Sequence, residues 1–361
     1  MKCLTNLDRI TYPSDLVMDL TKLYRFKGKD FYYEDVLKAT MSGIVRVTVE
    51  KDTFYAAKLL NLSVTENRMR LIIKKDTTPR TKDEKTLSNL KAVFTLIQKK
   101  GDSIELTTNE FLQLAKKIFS DSQNIDFASE VVKVRHNLIE EKKRISKRDD
   151  LEKELKEYGK LLAAGNVEPT QLITNLYVDL LHMNIYTSNN DFMALLIYYC
   201  LIFRERFNAF KYISFFQLYF ENKDKFDNAR ISASYDWEHG FSQTAPLNRV
   251  TINIMLDAYQ QVENSIDDFK FDKNIRKIDN VETTILKFGN VFTREQIKNA
   301  HPHLSESTIN RALANLKAQN KIRSTGTGRA ATWVKLVPNE MLGSRIKQMT
   351  LFDLIMENEE D

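Results

Sequence analysis

Twelve consecutive apolar residues at 192–203 (FMALLIYYCLIF), bracketed by Asp191 and Arg204, constrain this chain more than any other stretch. A helix that is apolar on every face has to be covered on all sides. Twelve residues fall short of the roughly 18 needed to cross a bilayer, so no membrane span is expected. The run therefore predicts a buried central helix, and the rest of the chain has to supply its neighbours. With 361 residues, 42% of them hydrophobic, and only 10 Gly and 6 Pro, the chain suits a helix-rich globular protein rather than a disordered one. The usual roughly 100–200 residues per domain gives two or three domains. Asp8 stands where a signal peptide would carry its apolar stretch, so a cytoplasmic protein is expected. Cys3 and Cys200 make no disulfide framework, and no Cys/His cluster has zinc spacing, so no metal is expected.

The net charge of +5 is unevenly distributed. Residues 273–337 hold twelve Lys/Arg against four Asp/Glu, whereas 338–361 hold two against six. One short segment therefore carries the positive excess. Concentrated Lys and Arg gain affinity for nucleic acid by displacing counterions from phosphates, which makes duplex DNA the first partner to consider.

Helical periodicity alternates with short breaks over residues 1–130, as at 31–37, 54–62, 87–98 and 109–119, the last with Thr108 as its expected N-cap. The charge-laced stretch 133–160 predicts a long solvent-facing helix with i,i+4 pairs such as Glu152/Lys156. Further helices are expected at 170–182, 191–206, 210–220 and 250–266, with no strand-rich region before residue 270. The aromatic stretch Tyr235-Asp236-Trp237-Glu238-His239-Gly240 predicts a loop packed by its rings.

From Asp279 the pattern becomes helix, helix, turn, helix, hairpin. The first helix, 281–287, is closed by Gly289, and the second, 294–300, is opened by Thr293 with Gln296 completing a capping box. Ser305 caps a third at 306–319, whose Ile309, Leu313 and Leu316 share one face, with Ser307, Thr308, Asn310, Arg311 and Lys317 opposite. Strands at 321–324, which includes Arg323, and 331–336 flank a glycine-rich tip carrying Arg329. This segment resembles the winged helix-turn-helix family. The resemblance implies that the third helix enters the major groove and that the wing contacts backbone, with Ser307, Thr308, Asn310, Arg311, Lys317, Arg323 and Arg329 as DNA-binding residues. Winged helices also serve as protein-contact domains, and that alternative stays open.

The helical part resembles the Fic family (filamentation induced by cAMP), in which a helical domain is often followed by a winged helix. Residues Leu62-Ser63-Val64-Thr65-Glu66-Asn67 are similar to the family's inhibitory (S/T)-x-x-x-E-(G/N) signature, keeping Glu66 and Asn67. The family's active motif, H-P-F-x-(D/E)-G-N-G-R, corresponds to 183–191 (MNIYTSNND). There Asn189 matches, while Met183 replaces the base, Thr187 the Mg²⁺ ligand and Asp191 the phosphate-binding arginine. Moving the register by one gives His182 as the base but Tyr186 for the acid and Asn190 for the arginine. The resemblance thus implies the scaffold with a degenerate motif, and an anionic Asp191 would repel a nucleotide. No P-loop, dinucleotide, zincin or nucleophile-elbow motif occurs elsewhere.

The acidic end contains Gln348-Met349-Thr350-Leu351-Phe352, which resembles the Q-x-x-L-F peptide that docks bacterial replication and repair proteins on the sliding clamp. The resemblance implies that Gln348 fills a polar subsite and Leu351 and Phe352 an apolar one. An apolar helix packing on the body is the alternative.

The expectation is a mainly α protein: an all-α Fic-like domain at 1–270, a small winged-helix (α+β) domain at 271–337 and a flexible acidic tail at 338–361. Its expected role is DNA-associated regulation or adaptation, by binding and without a cofactor. A Fic-type AMP or nucleotidyl transferase using Mg²⁺ and ATP is the rival, and a scaffold docking on the clamp is a third reading. Homodimerisation is left open.

Overall fold

The apolar run forms a helix, Asn190–Arg204, in which every side chain from Phe192 to Phe203 is buried. The computed structural model describes residues 2–9, 11–38, 40–136, 139–274, 277–302, 304–326 and 331–336. It divides into unit 1, Met1–Ile266, and unit 2, Asp267–Asp361. The chain is mainly helical, with a small α+β domain towards its C-terminal end.

Unit 1 opens with a 3-10 turn at Leu4–Arg9, followed by α1 (Ser14–Lys27), α2 (Asp30–Leu37), α3 (Met41–Leu59), α4 (Glu66–Lys75), α5 (Lys82–Lys100) and α6 (Thr108–Phe119). A hairpin, β1 (Ser129–His136) and β2 (Ile139–Ser146), precedes α7 (Arg148–Ala164), α8 (Pro169–Met183) and α9, the apolar helix. Then come α10 (Phe215–Glu221), α11 (Lys223–Ser234) and α12 (Ala245–Asn274), which runs to the end of the unit and beyond.

Two expectations are corrected here. Residues 133–160 are not one helix: they give the antiparallel hairpin, with Ser129 opposite Ser146 and His136 opposite Ile139, and then α7. The period-two placement of Val132, Val134, Ile139 and Ile145 favours strand, and the i,i+4 pair Glu152–Lys156 belongs to α7 alone. The N-cap of α6 is Thr107, whose extended backbone lets its hydroxyl accept the Glu110 N–H at 3.1 Å; Thr108 is already in the helix.

Beside α9 lies α8, buried from Thr170 to Leu180. Its polar side chains are satisfied internally. Thr174 Oγ1 donates to Asn248 Oδ1 at 3.0 Å, and Asn175 Oδ1 accepts from Thr244 Oγ1 at 3.1 Å. On the far side of α9, Asp52 of α3 is wholly buried and accepts from Ser214 Oγ (2.6 Å), Phe216 N (3.0 Å) and Tyr199 OH (2.9 Å). This carboxylate fixes the start of α10 against α9.

Unit 2 contains α13 (Lys277–Lys287), β3 (Val291–Thr293), α14 (Arg294–Ala300), α15 (Glu306–Ala318), β4 (Ile322–Ser324) and β5 (Thr332–Lys335). The strands form an antiparallel sheet in the order β3-β5-β4. Thr293 and Gln296 make both bonds of a capping box, and Ser305 caps α15. A core of its own, including Val281, Ile285, Phe292, Ile297, Leu313, Leu316 and Trp333, lies between the helices and the sheet. The strand β3, only three residues long, was not foreseen. Among the described residues no helix is long and apolar enough to cross a membrane.

Candidate functional site

The loop between α8 and α9 holds the stretch singled out for chemistry. Met183 ends α8, and Asn184 leaves it in the left-handed conformation (φ 49°), which asparagine tolerates well. The following residues add a short strand-like edge to the chain before the hairpin. Ala128 N donates to Ile185 O (2.8 Å), Thr187 N to Asp126 O (2.9 Å), and Asp126 N to Thr187 Oγ1 (3.2 Å). Asn190 closes the loop, its Oδ1 accepting from Tyr186 N and its Nδ2 donating to Tyr186 O, both at 2.8 Å. Asn189 (φ 54°) precedes the first turn of α9, where exposed Asp191 is paired with Arg230 of α11 at 3.2 Å. A carboxylate there complements the positive end of the helix dipole.

His182 and Met183 are half-buried. The His182 ring stacks on Trp237 at 4.6 Å between centroids and 15° between planes, and its Nε2 has no hydrogen-bond partner among the described residues. Burial holds this imidazole below its ordinary value, so it is neutral at pH 7. One turn earlier, the buried Asp179 carboxylate accepts from Trp237 Nε1 (2.7 Å), Cys3 N (2.9 Å) and Leu4 N (3.2 Å). Gly240 (φ 75°) completes this corner, because a Cβ there would sit 2.5 Å from Asn6 Nδ2. The aromatic stretch 235–240 is thus a packed turn, as expected, and His239 bonds only locally described Asp236 at 2.6 Å.

Glu66, the first residue of α4, is exposed and ion-paired with Lys58 (2.6 Å) and Arg70 (3.8 Å). Asn67 follows it on the same exposed first turn. The contacts of Glu66 therefore lie on α3 and α4. Met183, Thr187, Asn189 and Asp191 do share one loop. Sequence reasoning missed Asp179 and Arg230, although a lone carboxylate inside an otherwise apolar helix signals a buried charge that must be satisfied.

The chain was compared with known proteins at this point. No family model matches it, and neither does any curated protein. Among solved structures, a Fic family protein from Desulfovibrio desulfuricans G20 superposes with a TM-score of 0.54 at 11% identity, covering 93% of this chain and 98% of that one. The fold is Fic-like. A Fic domain-containing signaling protein from Bacteroides thetaiotaomicron VPI-5482 gives a TM-score of 0.52 at 12% identity, covering 68% of this chain and 98% of its own. The first likeness covers more than unit 1 contains, so the shared fold extends beyond the Fic-like helical unit.

Unit 2 carries the second candidate, a basic face. Ser307, Asn310, Arg311 and Lys317 are exposed on α15, Thr308 is half-buried, and Arg323 is exposed on β4. Ser307 and Arg311 are four apart and Asn310 and Lys317 seven apart, so each pair lies on one side of the helix. Other cations of the unit are engaged: Lys298 pairs with Glu306, Lys321 with Glu282, and Lys335 Nζ donates to Leu286 O (2.9 Å) and Phe288 O (2.6 Å). Among the described residues Arg311, Lys317 and Arg323 have no acidic partner. Arg329, like Gln348, Leu351 and Phe352 of the tail, lies outside the described residues.

Proposed function

We propose that the protein binds duplex DNA through unit 2, used as a winged helix, and acts as a DNA-associated regulator or adaptor. The observation that carries this reading is the trio Arg311, Lys317 and Arg323, cations without acidic partners on α15 and β4 of a three-helix, three-stranded unit. In a winged helix α15 is the helix that enters the major groove, with Ser307, Thr308 and Asn310 beside Arg311, and Arg329 extends the contact at the wing. In this reading the tail adds a sliding-clamp peptide through Gln348, Leu351 and Phe352.

The fold family implies ATP and Mg²⁺ at the α8–α9 loop, and the residues there do not fit them. Thr187 offers a hydroxyl already accepting from Asp126 N where a metal carboxylate is needed. Asp191 puts a negative charge at the helix end that would face phosphates, and its cationic partner Arg230 is drawn to it. Met183 has no proton to exchange. The Fic-like unit therefore serves this reading as a scaffold, without a transfer step.

The test is a mobility-shift titration of the full protein on duplex DNA across a salt series. Each phosphate contact contributes about 0.9 to the slope of log K against log salt, so Arg311→Glu/Lys317→Glu/Arg323→Glu is expected to flatten it by at least about 2.7. An unchanged slope in that variant, or no binding by the parent, refutes the proposal. Incubation with labelled ATP and Mg²⁺ is expected to transfer no label, and transfer would favour the enzymatic alternative.

A further inference from the structure

The hairpin β1–β2 has two chemically different faces. Its register pairs Val131 with Arg144, Lys133 with Lys142 and Arg135 with Glu140. Cross-strand partners share a face and neighbours along a strand alternate, so Lys133, Arg135, Lys142 and Arg144 are placed on one face with a single carboxylate, Glu140. Val132, Val134, Ile139 and Ile145 are placed on the other. Where the side chains are described, Val131, Arg144, Ile145 and Ser146 are exposed.

Directly opposed like charges destabilise an antiparallel pair, and Lys133 opposite Lys142, with Arg144 next along the strand, is such an arrangement. Glu140 answers Arg135 across the pair and leaves the other three cations without a cross-strand counter-charge. A polyanion would supply it. The sheet has only these two strands among the described residues, and a two-stranded antiparallel ribbon fits the major groove of a duplex. At about 3.4 Å per residue, an eight-residue strand extends roughly 27 Å, longer than the groove is wide. The ribbon is rooted in the candidate loop: Lys147 N donates to Ala128 O (2.9 Å), and Ala128 N to Ile185 O.

We propose that the basic face of this hairpin, with Lys133, Lys142 and Arg144 as phosphate-contacting residues, is a second duplex-DNA contact, on unit 1. It rests on the reading of the protein as a DNA binder, while its residues are independent of unit 2. A sheet face of this charge would also attract an acidic polypeptide, and the regular phosphate array of a duplex matches a repeating row of cations better.

The experiment uses the full chain, labelled duplex DNA and a salt series. Two variants change the ribbon: Lys133→Gln/Lys142→Gln/Arg144→Gln, which removes charge, and Lys133→Glu/Lys142→Glu/Arg144→Glu, which reverses it. The neutral variant is expected to flatten the salt slope by about 2.7 and the reversed one by at least as much, with an unchanged melting temperature in the neutral variant. A parental slope in both overturns the proposal. Unchanged duplex binding together with lost binding to poly-L-glutamate also overturns it and assigns the face to an acidic protein. Loss in the ribbon variants but not in Arg311→Glu/Lys317→Glu/Arg323→Glu upholds the ribbon and refutes unit 2 as the contact; the reverse pattern does the opposite. A parent that binds no duplex overturns both.

Discussion

Replacing Asp52 by asparagine tests the account of the α3–α9–α10 packing. The carboxylate is fully buried, and desolvation pushes its pKa from 3.8 up to about 7 despite the three hydrogen bonds that favour its charge. The sign follows from proton counting. Below about 3.8 both folded and unfolded chains carry the proton, and its contribution to stability is complete. As pH rises towards about 7 the unfolded chain gives up the proton while the folded one keeps it, so that contribution is lost. At about 1.4 kcal/mol per unit, the parent should lose about 2 kcal/mol from this group between roughly pH 5 and pH 7. In Asp52→Asn the amide oxygen can still accept from Ser214 and Phe216 N, and the amide nitrogen can donate to Tyr199. The Tyr199 hydroxyl proton is then left over, a penalty of about 1–3 kcal/mol that does not vary with pH. Urea denaturation of both proteins across this range should show the stability difference moving in favour of the variant by about 2 kcal/mol as pH rises. A difference constant with pH would mean that Asp52 titrates alike in both states and would refute the desolvation argument.

Two further outcomes are expected. Asp179→Ala would orphan the backbone N–H groups of Cys3 and Leu4 and the Trp237 indole N–H, at about 1–3 kcal/mol each, for a loss of at least about 3 kcal/mol and faster trypsin cleavage at Arg9. Parental protease resistance and stability would show that the buried apolar contacts of Cys3, Leu4 and Leu7 hold the segment without the carboxylate. Thr293→Ala would remove half of the capping box of α14 and cost about 1 kcal/mol, read as a lower denaturation midpoint. An unchanged midpoint would mean that the cap does not contribute to stability.

What the sequence revealed depended on how local the determining interaction is. The buried α9 was legible because a helix apolar on all sides has one environment available to it, and the caps at Thr293 and Ser305 were legible because the donor and acceptor lie three residues apart. The hairpin was not. Its charges fit a helical i,i+4 pattern as readily as a strand, and only the β-branched alternation of Val132, Val134, Ile139 and Ile145 separates the two, a signal diluted when residues 133–160 are read as one block. Thr107 and Thr108 are chemically equivalent caps, and backbone geometry alone selects the first.

The α8–α9 loop shows the same limit in its chemistry. The substitutions Met183, Thr187 and Asp191 were visible one by one, but Asp191 gains its meaning from Arg230, 39 residues away on α11. An aspartate at the start of α9 is compatible with the helix dipole, and a second-element arginine neutralises it, so this loop is stable without any bound anion. A loop selected to hold phosphates keeps its positive helix end open, whereas here a carboxylate from the chain's own sequence occupies that end. The same contrast separates the two ends of the molecule's charge pattern: on the α8–α9 loop the described charges are mutually satisfied, whereas Arg311, Lys317 and Arg323 have no acidic partner among the described residues. The lack of counter-charge, rather than the number of cations, is what directs the functional reading to nucleic acid.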